Sequence, residues 1–142
     1  MNDAQNVKYA QMVLPQSIGT SAVTGYIDTL GWDHLRVLYI GDTAASGDVI
    51  TTLKLQDGST TSAFTDISGA APSTIPVPNT STGDITVFDV SMAGNGDLER
   101  YINISIAGDA TARLTSVIGI LSRGRIAPNT DAEAGASEIV YV

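Results

Sequence analysis

The sequence predicts an all-β fold, a single-domain antiparallel jelly-roll β-sandwich with extended N- and C-terminal arms, and three observations lead there. Apolar residues recur with period two, while no stretch carries a capped i, i+3, i+4, i+7 pattern. Turn signals follow one another at short intervals: Gly41-Asp42, Gly47-Asp48, Asp57-Gly58, Gly83-Asp84 and Gly94-Asn95-Gly96-Asp97. Residues 69–83 hold Pro72, Pro76 and Pro78, which lack the ladder N–H and so exclude a central strand. That stretch reads as the long crossover a Greek key or jelly roll needs.

Taken in order, residues 1–18 read as an N-terminal arm, 19–128 as the sandwich domain and 129–142 as an acidic C-terminal tail. TSAVTGYIDTLGW (20–32) holds one or two short strands, bent at Gly25 and Gly31. HLRVLYIGD (34–42) is apolar on both faces, as a strand between packed layers should be. VITTLKLQDG (49–58) puts Val49, Thr51, Leu53 and Leu55 on one face and Ile50, Thr52, Lys54 and Gln56 on the other, closing in an Asp57-Gly58 turn. DITVFDV (84–90) reads like 34–42. ERYINISIA (99–107) turns Ile102, Ile104 and Ile106 to the core and Asn103 and Ser105 outward. ARLTSVIGILSRGR (112–125) reads as its hairpin partner across Gly108-Asp109-Ala110. In the tail, Ile139, Val140, Tyr141 and Val142 have the pattern to add a strand to a neighbour's sheet edge.

Composition narrows the function. A chain of 142 residues can bury a core without staples. With no Cys there is neither a disulfide framework nor a thiolate nucleophile or ligand. A net charge of −8 disfavours nucleic acid. The apolar run VIGIL (117–121) is far too short for a bilayer, and MNDAQNVKYA lacks the order of a signal peptide, so neither a membrane nor signal-directed secretion is expected.

Catalysis is poorly provided for. His34 is the one histidine, no G-x-S-x-G surrounds a serine, and no phosphate-cradling glycine motif occurs, so the chain reads as a non-enzyme and His34 as an ordinary strand-end residue. Asp42 with Asp48, and the single GNGD at 94–97, faintly suggest calcium, but Asp beside Gly is ordinary turn chemistry. No cofactor or metal is expected. The distinctive cluster is Arg123-Gly124-Arg125 in so acidic a chain, which reads either as a solvated strand end or as an anchor on an acidic protein surface. Arg113 of the same basic stretch and Tyr141 and Val142 of the tail are further candidate partner contacts.

Four segments in a fixed order carry a resemblance: TGYIDTLGWDHLRVLYIG; LKLQDGSTTSAFTDI; then, after a variable loop, ERYINISIAG; and GILSRGRIAP. Together, from Ser21 to Pro128, they resemble a family of small jelly-roll proteins found on the heads of tailed bacteriophages. The resemblance implies a capsid cement or decoration protein, synthesised in the host cytoplasm and seated on the outer surface of the phage head where copies of the major capsid protein meet. It also implies self-association, with a homotrimer ahead of a homodimer. The chain departs from the family in carrying fewer acids in the turn after Leu55 and in continuing past Pro128. Two alternatives stand beside it: a virion-displayed carbohydrate-binding module stacking sugars on Trp32 and Tyr26, and a structural protein of the neck or tail.

Overall fold

Alternating apolar residues are buried only if two sheets face each other, and the chain forms two. The computed structural model describes residues 6–43, 50–73, 83–93, 96–109, 113–125, 128, 130 and 132–138. Its strands are β1 (Val7–Ile18), β2 (Val23–Asp28), β3 (Trp32–Gly41), β4 (Ile50–Gly58), β5 (Thr65–Asp66), β6 (Asp84–Ser91), β7 (Tyr101–Gly108) and β8 (Arg113–Gly124). The first sheet has the order β1-β8-β3-β6 and the second β2-β7-β4-β5. All pairings are antiparallel. No α-helix occurs among the described residues.

Between the sheets, Leu35, Val37 and Tyr39 of β3 and Val117 and Leu121 of β8 meet Leu53 and Leu55 of β4 and Ile102, Ile104 and Ile106 of β7, all fully buried. Side chains of this size contribute about 1.5–3 kcal/mol each on burial, so this layer dominates stability. On the β1/β2 side the sheets are pinched together. Gly25 shares a face with Ile104, and a Cβ there would overlap the Met12 carbonyl.

Several expectations are corrected. The arm expected over residues 1–18 is, from Val7 onward, a twelve-residue strand paired with β8. Two register shifts, between Gln11 and Val13 and between Val13 and Gln16, break its alternation and hide it in the sequence. The tail is also not wholly free: Tyr9 N donates to Ala134 O (2.7 Å) and Ala134 is buried, so residues around 134 cover the outer edge of β1.

In β4, a register shift between Ile50 and Thr52 moves Ile50 to the buried face with Leu53 and Leu55. Asp57 and Gly58 are still strand, opposite Ile102 and Tyr101, and the chain turns later to reach β5. β6 is an edge strand with one open face, where Ile85 and Val87 stand 66% and 52% exposed. β7 and β8 do not form a hairpin, because they belong to different sheets. Asn103 and Ser105, expected outside, are buried along with the isoleucines. β7 lies between β2 and β4, and the neighbouring Gln56 Oε1 accepts from Asn103 Nδ2 (2.9 Å). The β3 segment sits inside its sheet, as its two apolar faces require.

Candidate interaction surface

One end of the sandwich gathers the β2–β3 turn and the last residues of β8. The turn is held rigidly. Thr29 N and Oγ1 both donate to Arg100 O (3.1 and 2.6 Å), Asp28 Oδ1 accepts from Leu30 N (3.0 Å), and Trp32 N donates to Thr29 O (3.0 Å). Gly31 takes the left-handed conformation (φ 86°) that closes it. Leu30 is thereby displayed at the tip, 67% exposed. Arg125 N donates to Gly31 O (2.9 Å), which fastens the end of β8 beside it.

Arg123 and Arg125 lie at the adjoining end of β8, on either side of Gly124, which pairs with Trp32. Both are exposed, and neither forms an ion pair with a described residue, whereas Arg36, Lys54, Arg100 and Arg113 each do. Arg123 also has a positive φ of 55°, which costs a non-glycine residue about 1–2 kcal/mol. The sequence marked the two arginines. It gave no sign of Leu30, whose exposure follows from the turn chemistry of Asp28, Thr29 and Gly31.

The remaining candidates separate from this end. Arg113 is not a partner contact: only 3% exposed, it lies at the opposite end of β8, inside the molecule. Its Nε and Nη2 donate to Asp42 O (2.9 and 2.6 Å), and its Nη2 also donates to Asp84 Oδ1 (2.6 Å). A charge inside an apolar sandwich is tolerated only when paired in this way. Gly41 makes room for the pair, since a Cβ there would run into Asp84, Tyr39 and Arg113. Tyr141 and Val142 lie outside the described residues.

His34 has more company than a strand-end residue needs. Nε2 lies against Asp89 Oδ1, Nδ1 is 3.2 Å from Ser122 Oγ, and Arg36 Nη2 donates to Asp89 Oδ2 (3.3 Å). A carboxylate only accepts, so Nε2 carries the proton; in the neutral ring Nδ1 then accepts the serine hydroxyl. This is a Ser-His-Asp contact on the outer face of the first sheet. Ser122 pairs with Val7 on one side and His34 on the other. The trio ties β3, β6 and β8 together.

Trp32 is half-buried, its ring filling the space above Gly124. Tyr26 is exposed, and Tyr101 (6.0 Å, edge-on) and Phe64 (6.1 Å, tilted) stand beside it on the second sheet. Of the residues considered for calcium, Asp48, Gly94 and Asn95 lie outside the described set. Among the described residues no group of three or more His, Asp or Glu side chains is placed to hold a metal ion.

Three surface carboxyls are held below their ordinary value. Asp28 is lowered chiefly by the Arg100 guanidinium forked onto it (2.8 and 2.6 Å), Asp66 by Lys54 and then Gln56, and Asp89 by His34 and then Arg36. A carboxyl with a depressed folded pKa stabilises above its unfolded value and loses that contribution as pH falls through the folded one. The melting temperature should therefore be level down to about pH 4 and fall below it. An Asp28→Asn variant should show a shallower fall in thermal melts, and an unchanged profile would mean the Arg100 pair contributes nothing.

No family model matches the chain, and no curated protein matches it. Among solved structures, it is similar to a chain from a structure described as "Bacillus endospore appendages form a novel family of disulfide-linked pili". The two are 15% identical, with a TM-score of 0.46, over 86% of this chain and 93% of that one. A likeness of that size carries no functional argument, and this chain has no cysteine with which to form such links.

Proposed function

We propose that this protein is a non-catalytic structural component of a tailed-phage virion, a jelly-roll cement protein that docks end-on to the outer surface of the head. The jelly-roll reading is supported by nested pairings: β1 with β8, β2 with β7, β3 with β6 and β4 with β5. That nesting is what a single long hairpin gives when it is wrapped into two sheets. The family reading rests on the ordered segments between Ser21 and Pro128.

The observation that carries the docking role is the Leu30, Arg123 and Arg125 end. Two exposed arginines without an ion-pair partner among the described residues, beside an apolar knob on a rigid turn, suit an acidic surface containing an apolar recess. Many copies spanning subunit junctions would hold the shell together by avidity. Binding the assembled shell better than its parts would stabilise it by mass action.

The test is co-sedimentation with expanded shells of the matching major capsid protein, with unexpanded shells as control. Saturable binding to expanded shells and a rise in their melting temperature are expected. The Arg123→Glu/Arg125→Glu double variant should remain folded and lose that binding; retained binding would reject the anchor. Arg123→Gly separates docking from stability, because it relieves the left-handed backbone, so the isolated protein should hold or gain stability while binding weakens. If the native chain binds neither shell, the role moves to the neck or tail, or to a glycan taken on Tyr26.

A further inference from the structure

The sandwich has four sheet edges, and three are managed. β1 carries two register shifts and is covered by the contact from Tyr9 to Ala134. β2 is short, six residues, and its Gly25 lies close against the Met12 backbone. β5 is two residues long. β6 is different: eight residues, DITVFDVS, with no register shift against β3 and no Lys, Pro or Gly to discourage pairing. Its outer face shows Ile85 and Val87, next to the partly buried Leu38 and Ile40 of β3. Beside it, between β6 and residues 67–72, runs a groove of about 470 Å³ whose lining includes Ile67, Ala70, Phe88 and Val90.

We propose that β6 pairs with β6 of a second copy across a two-fold axis, continuing the first sheet from one protomer into the next. A head-to-tail assembly would need a second edge as long and regular as β6, whereas among the described strands β1 is interrupted by register shifts, β2 has six residues and β5 two, so an isologous contact is favoured. The charges permit it. Any antiparallel two-fold register centred on residues 85 to 88 leaves Asp84 and Asp89 opposite uncharged residues of the partner copy. Centred on Thr86, it sets Ile85 of each copy opposite Val87 of the other, covering the most exposed apolar pair on the strand. Side chains on the inward face of the added strand then cross the mouth of the groove. The proposal is independent of the shell-binding role, and it favours a dimer where the family resemblance favours a trimer.

Sedimentation velocity of the full chain over a concentration series decides it, together with a single-cysteine scan. The native chain should sediment as a dimer. Val87→Lys, a change at an exposed position, should give a monomer with an unchanged melting temperature. Because the chain has no cysteine, single substitutions at residues 85 to 88 should yield oxidised covalent dimers, peaking at the residue nearest the axis. A monomeric or trimeric native chain, a dimer that survives Val87→Lys, or a scan with no covalent dimer would overturn the proposal.

Discussion

Replacing Arg113 with alanine is expected to destabilise the protein by about 3–5 kcal/mol, the range for removing one partner of a buried ion pair. The side chain donates twice to Asp42 O and once to Asp84, whose carboxyl is itself largely buried. Its loss leaves that carboxylate without its cation and the Asp42 carbonyl without both donors. Arg113→Met with Asp84→Leu removes both charges together and should cost much less than Arg113→Ala alone, because no charge is stranded. Urea melts of the three chains measure the difference. A loss below about 1 kcal/mol for Arg113→Ala would mean that the site is wet and the charge solvated.

The second large effect is expected at Ile104, fully buried in the centre of β7. Ile104→Ala should cost about 2–5 kcal/mol, made up of the lost transfer energy and the cavity that remains. The cost should fall toward the top of that range. On one side Gly25 brings the Met12 backbone close, and on the other Leu55 is in register, so there is little slack for collapse. A denaturant midpoint that hardly moved would contradict the packing described for this layer.

These two residues also show what the sequence can and cannot convey. Ile104 was legible because alternation is local: strand period and core face follow from five or six neighbouring residues. The same rule found β3, β7 and β8. It placed β7 and β8 in one hairpin because short connections usually join paired strands, and sheet membership leaves no mark on periodicity. β1 was lost for a local reason, since its two register shifts interrupt the pattern that announces a strand.

Arg113 and Asp57 were misread for a shared physical cause. A charge in a sequence reads as surface, and only a distant partner reveals otherwise. For Arg113 that partner is Asp84. For Asp57 it is the Glu99 amide, which donates to Oδ2 (3.0 Å), helped by Thr65 Oγ1. At the candidate surface, Arg123 and Arg125 stood out because an acidic background makes them conspicuous. Leu30 did not, because one leucine beside a glycine is unremarkable until its turn is built.

The nested pairing has a consequence for synthesis. β8 bridges β1 and β3, and β7 bridges β2 and β4, so both sheets have their central ties in the last two of the eight described strands to be synthesised. A nascent chain that has reached Ser91 can pair β3 with β6 and β4 with β5, while β1 and β2 still lack partners. At about 5–20 residues per second, those two strands wait on the order of 2–7 s while synthesis runs from Ser91 to the end of β8. Neither sheet can therefore close before β7 and β8 are made, and a chain cut short before β8 lacks the axis of its first sheet.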